Sequence, residues 1–225
     1  HTYSSRFAIV TSFQAEGMVL VDMAARMDPN VRVVTIDTGR LPDETYEMIE
    51  TVRERYQIRV ETIAPAGDEV AAMVTRFGPN LFYQDTDKRK LCCEIRKVRP
   101  LGRKLAEVDA YAVGLRREQS ELRADVLKTE SDQGRLKLSP LADWTRAEVW
   151  RYVAENDVPV HPLYARGYAS IGCGPCTRAI APGDGERAGR WWWENDAAKE
   201  CGIHVSPDGR MQRQLDVMLD EVLTR

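Results

Sequence analysis

No stretch of this chain approaches the roughly twenty apolar residues that a membrane-spanning helix needs, so no membrane association is expected. Neither charge sign dominates: 32 Lys and Arg stand against 35 Asp and Glu, a net charge of -3. That balance argues against a general nucleic-acid binder and leaves only local basic clusters to grip a small anion. No secretory leader is expected from the sequence given, and a chain that begins His1-Thr2 without an initiator Met is expected to lack its native N-terminus. Internal repeats and low-complexity linkers are absent too. Five cysteines are an odd number, and they cluster near Lys and Arg, which speaks against a disulfide framework. Reduced metal-binding or catalytic thiols in the cytoplasm are the expectation.

What is present suits one sizeable core with a small appended lobe: 225 residues, 43% of them hydrophobic. Short β-branched runs at 6–11, 31–37, 58–63 and 110–115 read as strands. They alternate with helical spacing at 17–27, 42–56 and 68–77, the pattern of a parallel α/β sheet. Ligands of such sheets bind at the carboxyl ends of the strands, which singles out the loops 12–17, 37–41 and 115–123. A long charged helix is expected over 87–108, kinked or restarted at Pro100. Beyond it, 136–141 reads as an edge strand and 145–156 as a helix, with Thr145 as N-cap and Glu148 as its capping-box partner. A turn at 172–176, a short helix with three tryptophans at 185–197 and an amphipathic helix at 212–223 complete the expectation.

The cysteines fall into four plus one. Cys92 and Cys93 are adjacent, Cys173 and Cys176 flank a Gly-Pro turn, and Cys201 stands alone. Neighbouring side chains on a helix diverge by roughly 100°, so both members of the first pair do not easily reach one zinc ion. A multi-iron cluster tolerates that divergence better, although zinc and four buried structural cysteines stay open from spacing alone. Lys88, Arg89, Lys90, Arg96, Lys97 and Arg99 supply counter-charge around the first pair. Lys97 lies four residues beyond Cys93 and so on its helical face. Arg116 and Arg117 follow a strand directly, and Arg187 and Arg190 would share a helical face. Such pairs can grip phosphate or sulfate, though exposed salt-bridged faces are commoner. Cys201, with no cysteine left to pair with, suits nucleophilic attack if a basic environment keeps it partly thiolate. His204 would assist proton transfer, or simply sit at the surface.

Three separated segments together resemble the assimilatory adenylyl-sulfate reductases: Lys-Leu-Cys-Cys-Glu at 90–94, Ser-Ile-Gly-Cys-Gly-Pro-Cys-Thr at 170–177 and Glu-Cys-Gly-Ile-His at 200–204. Residues 36–40, Ile-Asp-Thr-Gly-Arg, look like that family's nucleotide-contacting loop, and 114–120, Gly-Leu-Arg-Arg-Glu-Gln-Ser, like its arginine loop. The resemblance implies an adenine-nucleotide α-hydrolase-like α/β fold, with a nucleotide-binding domain at 1–165 and a C-terminal segment at 166–225, together one compact domain. It implies a [4Fe-4S] cluster on Cys92, Cys93, Cys173 and Cys176, and thioredoxin-dependent reduction of adenosine 5′-phosphosulfate through Cys201. Substrate contacts would come from Ser12, Ile36, Gly39, Lys97, Gly114, Arg116, Arg117, Arg187, Arg190 and His204, and a homo-oligomer is expected. The loop 11–17 lacks the Ser-Gly-Gly-x-Asp-Ser sequence of related ATP pyrophosphatases, which favours a monophosphosulfate over ATP. Three rivals stand beside this reading: a reductase of the 3′-phosphorylated substrate, an iron-sulfur thiolase of transfer RNA, and a non-catalytic cluster-binding regulator.

Overall fold

The computed structural model of the protein describes residues 3–194 and 209–224. Among these, residues 3–35, 40–62 and 105–192 form one unit, and 36–39, 63–104, 193–194 and 209–224 form another. No helix among the described residues is long and apolar enough to cross a membrane.

The first unit is built on a six-stranded sheet in the order β3-β2-β1-β4-β6-β5. Its strands are β1 (Phe7–Val10), β2 (Val33–Ile36), β3 (Val60–Ile63), β4 (Ala110–Val113), β5 (Thr129–Asp132) and β6 (Arg135–Leu138). β1 pairs in parallel with β2 and β4, β4 pairs in parallel with β6, and β5 is antiparallel to β6. All four residues of β4 are buried, as expected of a strand covered on both faces. The core joins Ile9, Val33 and Ala112 of the strands to Met18, Val19 and Val21 of α1 (Ala15–Met27), Met48 and Val52 of α2 (Asp43–Tyr56), and Val149 and Val153 of α6 (Arg146–Glu155). Asp43 and Glu44 lie in the first turn of α2 and Arg53 and Arg55 in its last, so both ends complement the helix dipole. At α6 the expected capping box is present, with Thr145 and Glu148 satisfying each other's backbone N–H.

Two local expectations give way to tertiary pairing. The strand anticipated at 136–141 is β6, which lies inside the sheet; the edge is β5, joined to it through Gln133 and Gly134. Both turn residues have positive φ, 49° and 83°, the backbone of a tight two-residue hairpin. The tryptophan-bearing stretch anticipated as a helix has none over 185–194, while 195–197 lie outside the described residues. There Thr177 bridges Arg190 in antiparallel fashion and Arg178 N–H donates to Gly189 O at 3.0 Å. A Cβ on Gly189 would fall 2.2 Å from Arg178 O, so this close pairing of extended backbone replaces the helix.

The second unit gathers α3 (Gly67–Phe77), α4 (Thr86–Cys93), α5 (Arg99–Leu105) and α7 (Gly209–Leu223). α7 packs on α3 and α4. Asp85 caps α4, accepting from Lys88 N–H at 2.7 Å. The long charged helix exists, but its irregularity precedes Pro100: residues Glu94–Val98 form a π-helical turn, in which Arg99 N–H reaches Glu94 O. A proline ring collides with the carbonyl four residues earlier, here that of Arg96, and widening the preceding turn relieves that collision without ending the helix.

Candidate active site

The sheet order reverses between β1 and β4, so the crevice outside their carboxyl ends is where a ligand is expected in the first unit. The loop after β1 is held in an unusual form. Phe13 has φ of 57°, and its side chain is fully buried in the core. Its N–H donates to Thr11 Oγ1 at 2.9 Å, which offsets part of the cost of a left-handed residue. Gly17 must be glycine because a Cβ would sit 2.2 Å from Thr11 Oγ1. Ser12 is exposed and accepts from Gln14 Nε2 at 2.9 Å, while Gln14 Oε1 accepts from Ile171 N–H at 2.8 Å. Gly114, just past β4, abuts the first turn of α1: a Cβ there would lie 2.8 Å from Glu16 Cβ and 2.9 Å from Gly17 N.

Arg116 is 1% exposed and clasped by carboxylates, with Nε on Glu16 at 2.8 Å and its terminal nitrogens on Glu118 and Glu186 at 3.0 Å each. Burial works against its charge, but Glu16 and Glu186 outweigh that and hold its pKa above the ordinary value. Burial likewise pushes the Glu186 carboxyl up, with Glu16 adding to it and Arg116 opposing. Arg117 turns elsewhere, donating to Val126 O at 2.9 Å and pairing with Asp143. The two consecutive arginines therefore do not form one fork.

Cys173 and Cys176 bracket a 3₁₀ turn, Gly174–Cys176, closed by Cys176 N–H on Cys173 O at 2.9 Å. The arginine turn is docked onto it. Arg190 N–H donates to Arg187 O at 2.9 Å and Trp191 N–H to Cys176 O at 3.3 Å. The two guanidinium carbons stand 5.9 Å (Arg187) and 4.7 Å (Arg190) from the Trp191 ring centroid. Arg190 is 6% exposed and its Nε has no hydrogen-bond partner among the described residues. Among the described residues its guanidinium makes one long hydrogen bond, from Nη1 to Ile171 O at 3.4 Å. Among the described residues no carboxylate pairs with it. A buried guanidinium in that condition has donor capacity to spare for an anion.

In the second unit, the loop after β2 is closed by Gly39 N–H on Asp37 Oδ1 at 2.7 Å, with Gly39 at φ 69°. Ile36 is half-buried and Gly39 exposed. Cys92 and Cys93 end α4 and are each 8% exposed, and Lys97 follows half-buried in the π-helical turn. Arg89, fully buried one turn before the pair, grips Glu194 through two hydrogen bonds at 2.8 and 3.0 Å. Cys201 and His204 lie outside the described residues.

All four paired cysteines are buried, Cys173 and Cys176 at 7% and 8%. Cysteine sulfur donors with basic neighbours fit an iron-sulfur cluster by donor chemistry. Among the described residues no three His, Cys, Asp or Glu side chains are gathered as a metal-binding group. Residues not anticipated from sequence are Gln14, the carboxylates Glu16, Glu118 and Glu186, and the Arg89–Glu194 pair. Glu118, two residues from Arg116, and Gln14, two from Ser12, have a local partner; the others meet theirs across long chain separations.

A model of the phosphoadenosine phosphosulfate reductase domain matches residues 6–179. An adenosine 5′-phosphosulfate reductase of Burkholderia cepacia is 50% identical over 198 residues, which are 87% of this chain and 79% of that protein. Its counterpart in Allochromatium vinosum is 49% identical over 196 residues, 86% and 77% of the two chains. Among solved structures, the phosphoadenylyl-sulfate reductase of Candida auris in complex with phosphate superposes with a TM-score of 0.64 at 28% identity, covering 78% of this chain and 83% of that one. FMN adenylyltransferase of Candida glabrata, bound to FAD and pyrophosphate, shares the fold at 14% identity and a TM-score of 0.55, covering 94% of this chain and 74% of its own.

Proposed function

The chain belongs to the phosphoadenosine phosphosulfate reductase domain family, and on that premise we propose that it reduces adenosine 5′-phosphosulfate to sulfite and AMP in sulfate assimilation. The observation that carries this reading is half-identity, over 87% of the chain, to a protein named for that substrate. Thioredoxin is the proposed electron donor and the cytoplasm the proposed compartment.

In the proposed reaction the Cys201 thiolate attacks the sulfate sulfur, and the bond from sulfur to the bridging phosphate oxygen breaks. AMP leaves with that electron pair, and Cys201 carries an S-sulfo group. A thioredoxin thiolate then attacks Cys201 Sγ and sulfite departs with the bonding pair. The resulting mixed disulfide is closed by the second thioredoxin thiol, which returns Cys201 as a thiol. The two electrons come from the thioredoxin dithiol.

Lys97, Arg187 and Arg190 would neutralise the phosphosulfate and the charge growing on the leaving phosphate, a stabilisation largest where donors are fixed and shielded from water. The buried guanidinium of Arg190, which pairs with no carboxylate among the described residues, supports that role. Ser12, Gly114, Arg116 and Arg117 would contribute from the β1 and β4 loops, Ile36 and Gly39 from the β2 loop, and His204 would assist proton transfer. Cys92, Cys93, Cys173 and Cys176 would hold a [4Fe-4S] cluster, which when bound would supply fixed charge and no electrons to the reaction.

The test is sulfite release from the two phosphosulfates, with and without reduced thioredoxin, on protein of measured iron, sulfide and oligomeric mass. Thioredoxin-dependent release from adenosine 5′-phosphosulfate is expected. Release from the 3′-phosphorylated substrate alone would favour the second reading, to which the likeness to the Candida auris enzyme lends support.

A further inference from the structure

Arg96 is a buried cation with an incomplete set of partners. Its residue is 9% exposed, its Nε has no hydrogen-bond partner among the described residues, and Nη1 donates to the carbonyl oxygen of Thr38 at 2.7 Å. Among the described residues no carboxylate balances it. A guanidinium sealed from water and spent on one backbone carbonyl is costly unless the contact it makes is needed elsewhere. Thr38 is itself 1% exposed. It is the centre of the loop after β2, whose neighbouring turn is the Asp37–Gly39 hydrogen bond at 2.7 Å. A Cβ on Gly39 would stand 3.5 Å from Arg96 Nη1, so the guanidinium packs directly beneath the exposed glycine. On the other side, Arg96 lies in the π-helical turn that directly continues the helix of Cys92 and Cys93.

We infer that Arg96 is a positioning residue for nucleotide binding: it ties the Ile36–Gly39 loop to the helix that carries Cys92 and Cys93, and so holds the loop in the form that receives the adenosine moiety. The inference rests on the proposed nucleotide reading of that loop. The π-helical turn is part of the device, because the widened turn before Pro100 sets the direction in which Arg96 leaves the helix. Pro100→Ala removes the reason for the widened turn and restores the missing backbone donor, so it is expected to stabilise the helix and loosen the loop together.

The experiment measures AMP binding by titration calorimetry on the wild type and on Arg96→Ala, Arg96→Lys, Pro100→Ala and Arg99→Ala, with iron, sulfide and thermal unfolding followed for each. Arg99→Ala removes the ion pair from Arg99, which follows the π-helical turn, to Glu69 of α3 at 2.8 Å and serves as the stability control. Arg96→Ala is expected to weaken AMP binding by on the order of tenfold, the loss of one charged hydrogen bond, with iron content kept. Arg96→Lys, which retains a single donor, should recover part of it. Pro100→Ala should weaken AMP binding without lowering the unfolding temperature. Wild-type affinity in Arg96→Ala, or affinities in all four variants that simply track unfolding temperature, would overturn the inference. Failure of the wild type to bind AMP would instead sink the nucleotide reading itself, and the inference with it.

Discussion

Gly172→Ala tests the seat of Arg190 with the smallest possible wedge. A Cβ on Gly172 would lie 2.4 Å from Arg190 Nη2, 2.6 Å from Cζ and 3.0 Å from Nη1. Ordinary carbon contacts begin near roughly 3.5 Å, so the guanidinium must move by about 1 Å. The move is cheap for the fold. The obstacle is the end of a flexible side chain, its hydrogen bond to Ile171 O is long at 3.4 Å, and Gly172 does not have a positive φ. Replacing such a glycine by alanine even stabilises by ~0.4–1 kcal/mol through the unfolded chain. For catalysis the same displacement is expensive, since a misplacement of ~1 Å in a positioning group costs on the order of 100-fold. Sulfite release should therefore fall by about 100-fold in kcat/KM while the unfolding temperature stays level or rises. If the wedge acts through Arg190, Gly172→Ala adds nothing in an Arg190→Ala background. Full activity in the single variant, or additive losses in the double variant, would refute the assignment of Arg190 to the anion.

His161 gives a pH-dependent signature. It is 0% exposed, its Nε2 meets Thr45 Oγ1 at 3.0 Å and its Nδ1 accepts from Leu163 N–H at 3.3 Å. Burial lowers its pKa from 6.5 to about 4. The unfolded chain thus takes up the proton first, and the stability present above pH 6.5 drains away as pH falls toward 4, by about 3 kcal/mol. His161→Asn, which can still cap the Leu163 N–H, should flatten the urea-unfolding free energy across that window; an unchanged slope would assign the acid sensitivity elsewhere. Arg116→Met should cost ~3–5 kcal/mol of stability by stranding Glu16 and Glu186. Adding Glu186→Gln should return part of that cost, and no recovery would argue against a charge origin.

How far the sequence reveals this molecule depends on whether a signal is local. The Thr145–Glu148 capping box and the acidic start of α2 are local, and both helices form where expected. The β-branched runs mark β1, β2, β3 and β4 to within a few residues. β5 escapes because Thr-Glu-Ser-Asp has no apolar face, and its Gln-Gly turn is a weaker hairpin marker than Asn-Gly. The stretch 185–194 misleads because its arginine and tryptophan spacing mimics a helix, while the pairing that unwinds it lies in residues 177 and 178. The same holds at the site. The cysteines announce themselves by spacing, but the burial of Arg190 over Gly172 and of Arg96 beneath the β2 loop depends on contacts that no window of sequence contains.

The central claim is the division of labour between four buried cysteines and Cys201, and one labelling measurement addresses it. Protein incubated with adenosine 5′-phosphosulfate carrying radioactive sulfur, without thioredoxin, should take up label in equimolar amount. The label should map to the peptide containing Cys201 and leave as sulfite when reduced thioredoxin is added. Cys201→Ser should take up none while keeping its full iron content. Label on any other residue, or sulfite release undiminished in Cys201→Ser, would contradict the account.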